Sequence, residues 1–148
     1  MPSAPILDKE VTILVVEDEP MVRALVISAL QDVGYQTIEA PDGARGLEYL
    51  RSDTRVDLLV TDVGLPGGLN GRQLADAGRL VRPDLKVLFM TGYAFHAAAG
   101  NWQLEPGMEL INKPFEIDKL ASRVQAIIGA QPRSPRIARD DNSGLSIG

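Results

Sequence analysis

The sequence contains no cysteine, one histidine and few aromatic residues. Without cysteine the chain has no disulfide, no thiolate metal site and no cysteine nucleophile. The single histidine, His96, excludes sites built from several histidines and argues against a triad that needs one. No apolar run approaches the roughly 20 residues that cross a bilayer, and residues 1–5 lack the basic start and apolar core of a secretory signal. We therefore expect a cytoplasmic protein that does not contact membranes.

The remaining composition is that of one globular domain with a substantial core. The chain has 148 residues, of which 45% are hydrophobic and 24% charged, as in ordinary soluble proteins. The formal net charge is −5 and no basic face is evident, so we expect no nucleic-acid binding. Residues 1–10 are predicted to be a lead-in and residues 11–129 the folded domain. Residues 130–148, which contain prolines and glycines without periodicity, are predicted to be a disordered tail.

Five short apolar segments alternate with helical patterns along the domain. The predicted strands are residues 12–16, 35–39, 57–61, 85–90 and 109–112. The predicted helices run from Pro20 to Val33, from Asp42 past Leu50, from Gly71 to Val81 and from Glu116 to Ile128. In the first helix the predicted inward residues are Val22, Leu25, Val26, Ala29, Leu30 and Val33. Such alternation predicts an α/β fold with a parallel sheet covered on both faces.

One helix in this series lacks a clear helical pattern in the sequence. Residues 94–107, between the fourth and fifth strands, carry no lasting helical stripe and include two glycines and a proline. The fourth of the five helices is therefore expected to be short or disordered.

Polar side chains stand at the carboxyl ends of four predicted strands. Glu17 and Asp18 follow the first strand, Asp62 the third, Thr91 the fourth and Lys113 the fifth. Parallel strands bring these ends to one edge of the sheet, which is where open α/β sheets bind their ligands. That edge would gather three carboxylates, one hydroxyl and one ammonium group.

This set of groups favours phosphoryl chemistry. Three neighbouring carboxylates repel one another unless a cation joins them, and carboxylate oxygens suit Mg²⁺. With Mg²⁺ held by Asp18 and Asp62, the Asp62 carboxylate stays ionised and can attack a phosphoryl group. Lys113 would pair with that group as a point charge, and Thr91 would donate a hydrogen bond to one of its oxygens. We therefore interpret Asp62 as a nucleophile for phosphoryl groups.

Each of these residues also has an ordinary structural explanation. Acids at residues 17–19 are typical of a helix N-terminus, and an aspartate after a strand is often a helix cap. Thr91 could be a turn residue and Lys113 a solvated lysine before a helix. The chemical interpretation is favoured because all of them occur together, in this order and on these strands.

The segments that carry these residues resemble the response-regulator receiver domain of two-component signalling. The matching segments are Leu14–Pro20, Asp57–Asp62, Leu65–Pro66, Thr91–Gly92 and Lys113–Phe115, within residues 11–129. The resemblance implies a flavodoxin-like, doubly wound sheet of five parallel strands in the order 2-1-3-4-5.

The resemblance also assigns roles at the acidic edge. Asp62 would be the phosphorylated aspartate. Glu17 and Asp18 would be the acidic pair, with Asp18 binding Mg²⁺ directly and Glu17 through water. Asp62 itself and the backbone carbonyl of Gly64 would complete the protein ligands of the Mg²⁺ ion.

The switch positions match the family only in part. By resemblance, Thr91 would be the switch hydroxyl and Lys113 the phosphoryl-binding lysine, joined to Pro114 by a cis bond. Leu110 stands where the family often has an aromatic switch residue. Residues 89–93, Phe-Met-Thr-Gly-Tyr, resemble part of a variant subclass with a Phe-x-Thr-Gly-hydrophobic motif, in which the fourth helix tends to be a flexible loop.

The predicted function is that of a single-domain response regulator. It would accept a phosphoryl group on Asp62 from a histidine kinase or a histidine phosphotransfer protein. Because no DNA-binding domain follows residue 129, we expect it to signal by contact with a downstream protein target or by phosphorelay. It would be a signalling domain and not an enzyme, with only self-phosphorylation and self-dephosphorylation as its own chemistry.

Other interpretations remain open. The main alternative is a pseudo-receiver, an interaction module that is never phosphorylated. An aspartate-nucleophile phosphatase is less favoured, because the residue two after Asp62 is Gly64 rather than a second aspartate. A nucleotide- or flavin-binding domain is disfavoured because no glycine-rich loop follows the first strand. His96 is interpreted as a loop residue rather than a phosphodonor.

Overall fold

Five strands and four helices make up the part of the chain, residues 11–92 and 104–129, that the computed structural model describes. The strands are β1 (Thr12–Val16), β2 (Gln36–Ala40), β3 (Leu58–Asp62), β4 (Lys86–Thr91) and β5 (Met108–Asn112). The helices are α1 (Pro20–Val33), α2 (Gly43–Arg51), α3 (Gly71–Val81) and α4 (Ile117–Gly129). The strands form one sheet in the order β2-β1-β3-β4-β5, and every neighbouring pair is parallel. The predicted α/β class, flavodoxin-like topology and strand order are confirmed.

The strand ends differ slightly from those predicted. β3 begins and ends one residue later than the predicted range 57–61, and Asp62 is its last residue. The helix predicted within residues 94–107 lies mostly outside the described residues, and 104–107 form loop and turn. The predicted lead-in and tail also lie outside the described part. None of the described helices is long and apolar enough to cross a membrane.

β3 is the central strand of the sheet, and all five of its residues are buried. It pairs with β1 on one side and β4 on the other. Its side chains alternate between two core layers, because successive residues of a strand point to opposite faces. Leu59 packs in the layer with α2 and α3, and Val60 packs in the layer with α1 and α4. A strand covered on both faces explains the continuous apolar run in the sequence.

Helix α1 begins and ends where the sequence indicates. Pro20 is its first residue, and Gly34 ends it with a left-handed φ of 111°, a conformation that glycine adopts without a steric penalty. Leu25 was predicted to face inward, but it is 57% exposed. The buried stripe centres on Val26 and Leu30, and Leu25 is offset from Val26 by about 100° around the helix.

Gly71 begins α3 where the helix touches the backbone of β3. A Cβ atom at this position would lie 2.2 Å from the carbonyl oxygen of Asp62 and 2.9 Å from the Cα of Val63. The N–H of Gly71 donates to the carbonyl of Val63 at 2.9 Å. This contact closes the loop 63–70, and the close approach of the two backbones is possible because glycine has no side chain.

We expect Gly71→Ala to lower the free energy of unfolding by about 1–3 kcal/mol, the usual cost of forcing extra atoms into a packed position. Backbone atoms would have to separate, since no flexible side chain is available to move aside. Urea unfolding followed by circular dichroism measures the change. Gly68→Ala, in the same loop, is the control because no atom lies within 4 Å of its Cβ position. An equal loss in both variants would contradict the prediction.

Candidate functional site

Three carboxylates meet at the carboxyl edge of the sheet. β1 and β3 are aligned so that Val16 pairs with Thr61, and the next residues, Glu17 and Asp62, therefore lie side by side. Ligand oxygens of Glu17, Asp18 and Asp62 lie within 4.8 Å of one another. Glu17 is 1% exposed and Asp62 9% exposed, whereas Asp18 is open to solvent. The structure thus brings together the three acids that the sequence predicted.

The ammonium group of Lys113 lies between two of these acids. Its Nζ donates to Oδ2 of Asp62 at 2.9 Å and to Oε1 of Glu17 at 3.1 Å. The backbone N–H of Lys113 donates to the carbonyl of Thr91 at 2.8 Å. The bond from Lys113 to Pro114 is cis, which confirms the prediction. Lys113 is therefore held at the end of β5 with its side chain directed at the acids.

Backbone amides bind the remaining oxygens of the two buried acids. The N–H of Gly64 donates to Oδ1 of Asp62 at 3.2 Å, and the N–H of Glu19 donates to Oε2 of Glu17 at 3.0 Å. Each carboxylate oxygen of Glu17 and Asp62 thus accepts a hydrogen bond, as buried polar atoms require. The sequence predicted Gly64 for its carbonyl, and the structure shows that its amide also contacts the site.

The surroundings shift the pKa values of two of these groups. Burial raises the pKa of Glu17, and the charge of Asp62 raises it further, while the N–H of Glu19 and the ammonium of Lys113 oppose the rise. Burial lowers the pKa of Lys113, but its hydrogen bonds to Asp62 and Glu17 and their negative charges outweigh burial, so that the pKa is raised. Lys113 is therefore a cation at neutral pH, facing more negative charge than it can balance.

This excess of negative charge fits a small divalent cation. The available donors are carboxylate oxygens close to one another, and hard oxygen donors suit Mg²⁺. The exposed side chain of Asp18 leaves one side of the cluster accessible from solvent. The residues present therefore match a Mg²⁺ ion in donor chemistry and in charge.

Thr91 lies at the same edge but has a different partner. It is the last residue of β4 and is 1% exposed. Its hydroxyl donates to the carbonyl of Gly92 at 3.3 Å, and its own carbonyl accepts the N–H of Lys113. Leu110, on β5, packs half-buried against the layer with α2 and α3. The tyrosine at position 93 lies outside the described residues, so the variant motif remains a prediction.

One contact at the site was not predicted. The Nη1 of Arg23 donates to the carbonyl oxygen of Glu17 at 2.7 Å, and its Nε donates to Oε1 of Glu39 at 2.9 Å. The sequence does single out Arg23, because it is the only basic residue of α1. An amphipathic pattern alone does not indicate what such a residue binds.

The chain is similar to response regulators and to part of a sensor kinase. The chain is 36% identical over 126 residues to the sensor kinase CckA of Brucella abortus, a match that covers 84% of this chain but only 13% of the kinase. It is 29% identical to the response regulator receiver protein CpdR of the same organism, over 78% of this chain and 95% of CpdR. The crystal structure of the response regulator TrrA from Thermotoga maritima with Mg²⁺-BeF aligns with a TM-score of 0.67 and 30% identity, covering 79% of this chain and 98% of that one.

A sequence model of a protein family gives the clearest assignment of this chain to a family. The model of the response regulator receiver domain matches residues 13–125, which include all five strands except one residue of β1. The strand order and the acids at the sheet edge agree with the resemblance seen in the sequence. The chain belongs to the response regulator receiver domain family.

Proposed function

We propose that Asp62 is the phosphoacceptor of this domain. The observation that carries the proposal is the position of the Lys113 ammonium, 2.9 Å from the acceptor carboxylate and 3.1 Å from Glu17. A cation held there lies where the oxygens of a phosphoryl group on Asp62 would arrive, and it can bind them without a large movement. The site is also at the carboxyl edge of the sheet, where open α/β sheets bind ligands.

The transfer reaction uses the described groups as follows. A carboxylate oxygen of Asp62 attacks phosphorus as the phosphorus–nitrogen bond of a donor phosphohistidine breaks. The nitrogen keeps the electron pair of that bond and takes up a proton, and Asp62 becomes an aspartyl phosphate. The ammonium of Lys113 then donates to a phosphoryl oxygen in place of the Asp62 carboxylate. The hydroxyl of Thr91 donates to another phosphoryl oxygen in place of the carbonyl of Gly92.

The metal ligands in this proposal are Glu17, Asp18 and Asp62 with the backbone carbonyl of Gly64. When bound, Mg²⁺ would supply positive charge that stabilises the phosphoryl oxygens. Glu17 is fixed by Lys113 and by the amide of Glu19, and Asp18 is reachable from solvent. The related TrrA structure was obtained with Mg²⁺-BeF, which supports the same cofactor here.

The partners follow from the same chemistry. The donor would be a histidine kinase or a histidine phosphotransfer protein, and the sensor kinase relative supports this class. We infer that the chain works as a single-domain regulator, because the match covers 95% of CpdR. We also propose that it works in the cytoplasm, together with the kinase or phosphotransfer protein that phosphorylates it. Its output would pass by contact with a downstream protein or by phosphorelay. In this role it is a signalling domain, and its only chemistry is gain and loss of its own phosphoryl group.

Incubation with acetyl phosphate and Mg²⁺ tests the acceptor. We expect the wild type to gain the mass of one phosphoryl group and Asp62→Asn to gain none, because the amide is a poor nucleophile. Asp84→Asn, which changes an exposed acid elsewhere in the chain, should label like the wild type. Intact-mass spectrometry reads the result. Labelling that persists in Asp62→Asn would refute the assignment, and an unlabelled wild type would support a pseudo-receiver.

Mg²⁺ should stabilise the folded domain through the acidic cluster. A ligand present at 100 times its Kd adds about 2.7 kcal/mol to the free energy of unfolding. We expect the wild type to show a rise of this size and Asp18→Asn to show little. Without metal, Asp18→Asn should be at least as stable as the wild type, because it removes one of three neighbouring carboxylates that repel one another. Urea unfolding with and without Mg²⁺ measures the rise. Asp84→Asn should gain as much as the wild type, and an equal gain in Asp18→Asn would exclude this role for Asp18.

A further inference from the structure

Arg23 connects the acidic edge of the sheet to the outer strand β2. Its guanidinium donates from Nη1 to the carbonyl oxygen of Glu17 at 2.7 Å and from Nε to the carboxylate of Glu39 at 2.9 Å. The side chain of Arg23 is 17% exposed, whereas that of Glu39 is 62% exposed. The arginine thus lies largely inside the structure, and the exposed glutamate approaches it from β2.

The contact falls on the peptide group between the two predicted acidic ligands. The carbonyl of Glu17 and the N–H of Asp18 belong to the same planar unit, so that fixing the oxygen fixes the plane. On the other side of Glu17, its N–H donates to the carbonyl of Ala40 at 3.2 Å. The backbone of Glu17 is therefore held on both sides, by β2 through its N–H and by Arg23 through its carbonyl.

We propose that Arg23 is a positioning residue for Mg²⁺ binding, acting through the Glu17–Asp18 peptide group. By holding the carbonyl of Glu17 it sets the direction in which the chain leaves β1. It thereby sets where the carboxylate of the exposed Asp18 stands relative to Asp62. The inference rests on the proposed Mg²⁺ site, but it concerns a residue that touches neither the ion nor the phosphoryl group.

Glu39 has a supporting part in this arrangement. An ion pair with an exposed carboxylate contributes little to the free energy of unfolding, so the value of Glu39 here is geometric. A guanidinium is planar, and binding two acceptors at once fixes its orientation. With Nε held by Glu39, Nη1 is directed at the carbonyl of Glu17.

The sign of the effect distinguishes positioning from simple electrostatics. Arg23 carries a positive charge close to a site for a divalent cation. If that charge were its only influence, removing it would strengthen Mg²⁺ binding, because like charges repel. If Arg23 positions the acidic pair, removing it weakens Mg²⁺ binding in spite of the lost repulsion. Residues that orient metal ligands typically change affinity 10–100-fold when replaced.

Mg²⁺ titration by isothermal calorimetry on the full chain tests the proposal. We expect Arg23→Met to raise the Kd for Mg²⁺ about 10-fold. Arg23→Lys keeps the charge but has one nitrogen to share between two acceptors, and it should also bind more weakly than the wild type. Glu39→Gln, at an exposed position, should shift the Kd in the same direction by a smaller factor. Arg45→Met removes an arginine from an exposed pair with Glu48 and should leave the Kd unchanged.

A second measurement needs no metal. Amide hydrogen exchange in Mg²⁺-free protein should be faster at Glu17 and Glu19 in Arg23→Met than in the wild type, and unchanged in Arg45→Met. Urea unfolding of the same variants establishes that they fold. A variant Arg23→Met that is less stable yet binds Mg²⁺ with the wild-type Kd would mean that Arg23 is structural only. Tighter binding would mean that it acts by charge, and either result overturns the proposal.

The outcomes also separate this inference from the proposed function. At saturating Mg²⁺, Arg23→Met should still be labelled on Asp62 by acetyl phosphate, because the groups that take part in transfer are intact. If the wild type binds Mg²⁺ and is labelled, and Arg23→Met has an unchanged Kd for Mg²⁺, only the proposed role of Arg23 is excluded. If the wild type binds no Mg²⁺, both the proposed metal site and the proposed role of Arg23 are excluded.

Discussion

The ion pairs of Lys113 with Asp62 and Glu17 are the interaction on which the site depends. They join the ends of β5, β3 and β1 across the sheet, so that residues far apart in sequence share one charged cluster. Removing carboxylates from water is costly unless good geometry and further hydrogen bonds compensate. Here the amides of Gly64 and Glu19 supply those bonds. Burial, and to a smaller extent the charge of Asp62, still raises the pKa of Glu17, and an incoming cation would offset both by stabilising the carboxylate.

The rest of the fold serves to hold these strand ends in place. β3 is buried on both faces and paired on both edges, so the backbone that carries Asp62 has little freedom. Among the described residues, two helices pack on each face of the sheet. The acidic edge therefore combines a firmly held Asp62 with a solvent-facing acid, Asp18, and ligands can enter without disturbing the core.

The sequence predicted the strands, and it predicted that Asp62, Glu17 and Lys113 meet at one edge of the sheet, because both follow local rules. A short apolar run ending in an acid indicates a buried strand with a functional end, and parallel strands bring such ends together. The strand order came from the resemblance and not from the apolar pattern. Contacts that depend on the exact placement of a helix were not accessible. Leu25 fits the helical period yet is exposed, and Arg23 reaches a backbone carbonyl that no side-chain pattern reveals. The partner of the Thr91 hydroxyl likewise depends on the local backbone.

The close approach at Gly71 has a mechanical consequence. The first residue of α3 rests on the carbonyl of Asp62, and even a methyl group would not fit between them. Packed interiors transmit displacement because they contain few voids to absorb it. A shift in the backbone of β3 at Asp62 must therefore be shared by the first turn of α3. This path does not run through Thr91 or Leu110, so the domain has a rigid connection from its acidic edge to one of its outer helices.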